Sequence, residues 1–367
     1  MNKKLKTIII NVIIFSSLLM IIEFGSSILL DLNQYYNTQV TYKENLKSNL
    51  PNYKGIYWAK THFKEFNELP TEYKSYFGWR RTFYKGQTIN IDSFGIRKTI
   101  QKTNEKLQAP IAIFLGGSTI WGTGVNDENT IPSLFAKKSK KQYTVLNYGE
   151  SSYSAYQSHQ FLQMNIIKGI KPKLIIAYDG VNNSPVHLPN FFSNARENQI
   201  ISKMKGQDTK FNSYFMRSTK DLISKAKGKF FPTTIESLKE DKIISNKRNT
   251  TAAIELLESW LLTLNLSKEV GAEFYCILQP NAFYSKPNIK NIENQLEKNN
   301  YKYGYAYYKN ILKLIQENTK YSELKEHFIN LTSVLDNIPN VYIDYCHLSP
   351  NGNVIITDFI VNQLENK

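Results

Sequence analysis

From residue 109 onward the chain alternates short apolar runs with longer amphipathic ones, and that alternation leaves few architectures open. "IAIFL" (111–115), "TVLNY" (144–148), "LIIAY" (174–178), "EFYCIL" (273–278) and "VYI" (341–343) have the length and residue content of buried strands. Between them "NTIPSLFAKKSKK", "AYQSHQFLQMNIIKG", "TAAIELLESWLLTLNLSKEV" and a segment around 303–317 carry apolar residues at helical spacing. "NGNVIITDFIVNQLEN" closes the chain as another amphipathic helix. Strands alternating with helices predict a parallel sheet covered on both faces, an α/β class three-layer α/β/α domain of flavodoxin-like type. In such sheets ligands bind beyond the carboxyl ends of the strands. The polar text lies there: "GGST" after the first strand, "GESS" after the second, "DGVNN" after the third and "DYCHLSP" after the last.

The N-terminus fixes where such a domain works. Lys3, Lys4 and Lys6 precede "TIIINVIIFSSLLMIIEFGSSILL", 24 residues with Glu23 as their only charge. About 20 apolar residues cross a bilayer, and basic residues on the near side favour a cytoplasmic N-terminus. A cleaved signal peptide is the competing reading, since Ile8 to Ile22 alone has the length of its apolar core. No A-x-A site follows and the apolar character resumes after Glu23, which favours an uncleaved single-pass anchor over residues 1–31. Either way residues 32 onward are expected outside the cytoplasm. Residues 32–104 read as an irregular aromatic and polar lead-in that packs on the main domain, which occupies 105–367.

Glycines behind the first strand admit two chemistries, a phosphate cradle or a raised nucleophile. Gly117 and Gly122 have the spacing of a phosphate loop, but Thr123 stands where its lysine should be. A dinucleotide fingerprint from Gly122 would want glycine where Asp127 stands. The nucleophile reading fits better. A serine hydroxyl attacks only when a base takes its proton, imidazole titrates near neutrality, and a carboxylate must hold the imidazole's tautomer. Ser118 lies in the first polar cluster, and Asp344 and His347 are three apart in the last, so one turn can present both. Backbone N–H groups near Ser118 and Gly149, with the side-chain amide of Asn182, can serve the oxyanion. Of the other histidines, His62, His159, His187 and His327 sit in no such motif. A Cys346–His347 dyad is disfavoured because adjacent side chains point apart, and two cysteines (Cys276, Cys346) read as free thiols.

These four blocks resemble those of the SGNH hydrolases, or GDSL-type esterases, over roughly residues 88–367. The lead-in "INIDSFGIRKT" and "FYCILQP" resemble membrane-anchored bacterial members of that group. The resemblance implies Ser118 as nucleophile, His347 and Asp344 as its partners, and Ser118, Gly149 and Asn182 as oxyanion donors. Gly117 replaces the usual aspartate before the serine, and Asn183 replaces the frequent aspartate after Asn182. The implied activity is ester hydrolysis on an O-acylated glycan or other ester, without metal or cofactor. O-acyl transfer to a cell-envelope polysaccharide is the alternative, and a catalytically weak glycan-binding domain the second.

Between the third strand and the next helix, about 184–250, lies a basic insert. Arg196 to Arg248 hold 13 Lys or Arg against 6 Asp or Glu, so this stretch carries +7 of the chain's +15. Outside the cytoplasm such charge suits an anionic polysaccharide or lipid headgroups rather than nucleic acid. A solvated surface insert is the plainer reading. Replacing Lys225, Lys227 and Lys229 with glutamine is expected to weaken association with anionic vesicles in a salt-sensitive way. Co-sedimentation that ignores both salt and substitution would return the insert to a solvated surface.

Overall fold

The computed structural model describes residues 2–44, 47–102, 109–185, 242–284, 286–292 and 302–365. They divide into two compact units, Met1–Leu46 with Ile201–Lys242, and Lys47–Ile200 with Ile243–Lys367. The basic insert falls almost entirely outside the described residues.

In the first unit, α1 spans Lys3–Glu44. Its stretch Lys3–Ile22 has mean hydropathy 2.3 and is long and apolar enough to cross a membrane or to act as a signal sequence. Leu5, Ile9, Phe15 and Met20 are exposed along it. The helix continues through residues 32–44, which the sequence placed in the lead-in. No proline or glycine stands between Ser26 and Glu44 to stop it.

In the second unit the lead-in is more regular than its composition suggested. It forms α2 (Ala59–Glu68), an antiparallel pair β1 (Thr71–Lys74) and β2 (Gly78–Arg81), and a short pair β3 (Tyr84–Lys85) and β4 (Asn90–Ile91). The central sheet follows: β5 (Ile111–Gly116), β6 (Thr144–Asn147), β7 (Pro172–Asp179), β8 (Glu273–Leu278) and β9 (Phe328–Asn330), all parallel, in the order β6-β5-β7-β8-β9. The helices are a single turn α3 (Ser118–Trp121), α4 (Ile131–Lys138), α5 (Ala155–Ile167), α6 (Lys242–Glu269), α7 (Lys302–Glu317), the short α8 (Ser322–Glu326) and α9 (Pro350–Glu365).

Period-2 alternation sends each strand's side chains to opposite faces. Ile113, Leu115, Ile175, Ala177, Phe274 and Cys276 meet α5, α6 and α7 on one side. Ala112, Phe114, Ile176, Tyr178 and Ile277 meet α4 and α9 on the other. On α6, Ala253, Leu256, Leu257, Trp260 and Leu264 recur at i, i+3, i+4, i+7 and i+11 and all are buried. Local signals start the helices: the Thr130 side chain accepts from Ser133 N–H, and Ser154 with Gln157 closes a capping box. The three-layer α/β/α expectation is met.

One strand was misassigned. The fifth strand is "FIN" (328–330), not "VYI" (341–343). Val341, Tyr342 and Ile343 are buried, which is why they look like a strand. They instead form one arm of a tight loop, with Tyr342 bridged to Leu348 and Ile343 N–H bonded to His347 O.

The lead-in also closes the exposed edge of β6. Gln101 pairs its amide with both backbone groups of Val145, Nε2 to O at 2.9 Å and Oε1 from N at 3.0 Å, and Arg97 bridges Asn147. A free strand edge invites aggregation, and these contacts blunt it. Arg97 itself is 1% exposed. Its Nε donates to Asp127 Oδ1 (3.0 Å), Nη1 to the carbonyls of Trp121 (3.0 Å) and Gly122 (2.7 Å), and Nη2 to that of Val125 (2.6 Å). Breaking a buried ion pair costs about 3–5 kcal/mol because the remaining charge is stranded. Arg97→Leu is expected to lose that much stability in urea denaturation; a loss below about 1 kcal/mol would show that water reaches Asp127.

Candidate active site

The strand order places a topological switch between β5 and β7, because the chain leaves β5 for β6 on one side and reaches β7 on the other. Ser118 follows β5 and Asn182 follows β7, so both stand at that crevice. Two glycines let the chain turn there. Gly116 has φ +153°, and a Cβ on it would lie 2.5 Å from the carbonyl oxygen of Tyr178. A Cβ on Gly117 would lie 2.2 Å from Asn182 Nδ2. Ser118 then opens α3, and its side chain is half-buried.

The loop before α9 presents the partners. Asp344 Oδ1 accepts from the backbone N–H groups of Cys346 (3.1 Å) and His347 (2.8 Å), and Ile343 N–H closes onto His347 O (2.9 Å). This local turn is what the three-residue spacing buys in geometry: the imidazole Nδ1 lies 2.8 Å from Asp344 Oδ2 and 2.9 Å from Oδ1. Across 229 positions of sequence, His347 Nε2 reaches Ser118 Oγ at 2.7 Å. A carboxylate only accepts, so Nδ1 carries the proton and the bare Nε2 accepts from the serine hydroxyl.

Electrostatics agree with that assignment. Burial alone would push Asp344 up, but His347 and Lys47 outweigh it and hold the carboxyl well below its usual range. Lys47 Nζ stands 2.6 Å from Asp344 Oδ2. Contrary to the expectation that these adjacent side chains point apart, Cys346 Sγ approaches His347 Nδ1 at 3.6 Å, but burial and the Asp344 carboxylate push its thiol up, so it stays protonated and a poor nucleophile. Asp179, at the end of β7, shows the opposite case. Burial raises it to about 7 against the Trp260 Nε1–H that donates to it at 2.9 Å.

The expected oxyanion donors are placed unequally. Asn182 Nδ2 donates to the Tyr153 carbonyl (2.9 Å) and, having two hydrogens, keeps one for the crevice. Ser118 N–H opens a helical turn and so has no intrahelical acceptor. Gly149 N–H donates to its own neighbour, Asn147 Oδ1 (3.1 Å). The remaining histidines take structural roles where described. His62 is buried among Trp58 and Phe63, His159 meets Thr263, and His327 meets the carbonyl of Phe274; His187 lies outside the described residues.

No family model and no curated protein matches the chain. Among solved structures it is similar to a carbohydrate acetylesterase family member from Sinorhizobium meliloti, at 14% identity over 70% of this chain and 97% of that one, TM-score 0.42. It is also similar to a GDSL-like lipase from Bacteroides thetaiotaomicron, at 13% identity over 71% and 92%, TM-score 0.40.

Sequence reading did not find the supports of this site. Arg81 pairs with Glu150, beside Gly149, and donates to Ser151 Oγ (2.8 Å), across about seventy residues that no spacing rule connects. Lys47 was unmarked among many lysines. The arrangement as a whole supplies an activated hydroxyl beside amide donors, which suits acyl chemistry. A methyl at position 117 would displace the mobile end of Asn182 rather than backbone. Gly117→Ala is therefore expected to keep stability within about 1 kcal/mol and to lower ester turnover at least about tenfold. Adding Asn182→Ala to it should cost little more; additive losses would mean that the methyl disturbs something other than this amide.

Proposed function

We propose that the protein is a serine esterase of the SGNH type, anchored by α1 and acting outside the cytoplasm on an O-acylated glycan or a similar ester. The observation that carries this reading is the continuous relay Ser118 Oγ–His347 Nε2, His347 Nδ1–Asp344, with distances of 2.7 and 2.8 Å. Ser118 Oγ bonds to the ester carbonyl carbon while its proton passes to His347 Nε2. The oxyanion is met by the Ser118 N–H and the Asn182 amide. Gly149 N–H joins them by exchanging its bond to Asn147. Collapse of the tetrahedral adduct breaks the ester C–O bond, and the alcohol leaves with the proton from Nε2. Water, deprotonated in turn by Nε2, then releases the acid and restores Ser118.

Anchoring is supported by the apolar stretch Lys3–Ile22 and the lysines before it. The basic insert is proposed to hold anionic polysaccharide or lipid headgroups. A sugar hydroxyl in place of water would make the same machinery an O-acyltransferase. Turnover of acetylated sugars with and without an acceptor glycan separates the two.

The relay is tested with a fluorophosphonate probe and an ester assay. Ser118→Ala should abolish labelling and turnover with the fold intact, and His347→Ala should lose nearly as much. Asp344→Asn should cost about a hundredfold to ten-thousandfold, and Asn182→Ala about 3 kcal/mol, or a few hundredfold. The four losses should not add, because the groups act as one unit. A folded Ser118→Ala protein with undiminished turnover would sink the reading.

A further inference from the structure

Asp344 is approached from behind by a piece of chain that the catalytic reading does not use. Lys47 opens a short turn, Lys47–Asn49, three residues after the end of α1. Its ammonium lies 2.6 Å from Asp344 Oδ2, the same oxygen that lies 2.8 Å from His347 Nδ1. The ammonium is not a loose surface charge that happens to pass by. The segment 47–53 is pinned along the catalytic loop. Asn52 Nδ2 donates to the carbonyls of Asn340 (2.6 Å) and Tyr342 (3.1 Å), and Asn291 Nδ2 donates to Asn52 Oδ1 (2.8 Å) and to the Tyr342 carbonyl (2.8 Å). Tyr53 is 3% exposed, packs with Ile343, and donates its hydroxyl to the Gly124 carbonyl at 2.7 Å.

We propose that Lys47 is a positioning residue for the Asp344–His347 pair, so that the segment following the N-terminal helix tunes the nucleophile. This rests on the esterase reading above. Two effects follow from the geometry. Lys47 fixes the rotation of the carboxylate by donating to Oδ2, the oxygen it shares with the imidazole. It also offsets part of the carboxylate's charge, so the imidazolium formed during the reaction gains less from Asp344. The titratable groups facing the pair are Lys47 and Tyr53 from this segment and Cys346 from the loop itself. Burial and the Asp344 charge push both the Tyr53 phenol and the Cys346 thiol up, so neither changes charge near neutrality. Among the described residues that leaves Lys47 as the group able to set the balance. Its side chain is 32% exposed, so solvent screens part of the effect.

The test uses full-length protein in detergent and the rate of fluorophosphonate labelling from pH 5 to 9. Wild type, Ser118→Ala, Lys47→Met, Lys47→Gln and Lys47→Arg are compared, with melting curves to confirm the fold. Lys47→Met is expected to move the acid-side midpoint of the rate profile upward by about half a pH unit. Its plateau rate should also fall by about threefold to tenfold. Lys47→Gln, which keeps a donor without charge, should show the same midpoint shift, and Lys47→Arg should restore the wild-type midpoint. A purely structural role would lower melting temperature and rate without moving the midpoint, and would overturn the inference. So would a Lys47→Met profile superimposed on wild type while Ser118→Ala stays unlabelled. A wild-type protein unlabelled at every pH would instead overturn the reading of Ser118, and this inference with it.

Discussion

Two guanidinium groups lie against the indole of Trp121, Arg81 at 3.8 Å and Arg97 at 4.3 Å from a ring centroid. Both arginines come from the lead-in and both are buried. A cation held over a ring away from water gains more than one at the surface, but it must also be paired. Arg97 is paired with Asp127 and with three carbonyls, and Arg81 with Glu150. Trp121 ends the single turn that Ser118 begins, and Glu150 follows Gly149. Two buried ion pairs thus hold the back of the turn that carries the hydroxyl and the loop beside it.

The rim of the sheet holds two carboxylates in opposite conditions. Asp344 sits among donors and cations and stays charged well into acid. Asp179 is buried with one indole N–H donating to it, and burial lifts it to about 7. Only the first touches the imidazole. The contrast shows how one fold keeps a negative charge beside an imidazole and suppresses another three residues from Asn182.

Four of the five strands of the central sheet and the five helices α4, α5, α6, α7 and α9 were legible as periodicity, because burial on both faces makes a parallel strand a plain apolar run; α2, in the aromatic lead-in, was not. "VYI" failed for the same reason: burial without sheet pairing looks alike over three residues. Ser118, Asp344 and His347 were expected from residue type and block position, and the fold brings the three within hydrogen-bond reach. Asn182 was legible from its place after β7, though which donors face the crevice depends on competition, as Asn147 and Gly149 show. The ion pairs around Trp121 and the role of Lys47 were not legible. Pairs such as Arg81–Glu150 and Lys47–Asp344 join positions 69 and 297 apart, and charge on a lysine-rich chain does not say which lysine is placed.

The lead-in's share in the core sets where this protein can be cut. A shortened gene that begins at residue 105 would delete both cations over Trp121 and the side chain that pairs with the edge of β6. One that begins at residue 51 would keep those but lose Lys47 and the Leu50 that packs against Tyr53 and Ile343. The seam that leaves the catalytic unit whole lies just ahead of residue 47. An N-terminal boundary at that junction keeps every lead-in contact of the second unit, whereas one at the first strand of the sheet strips them away.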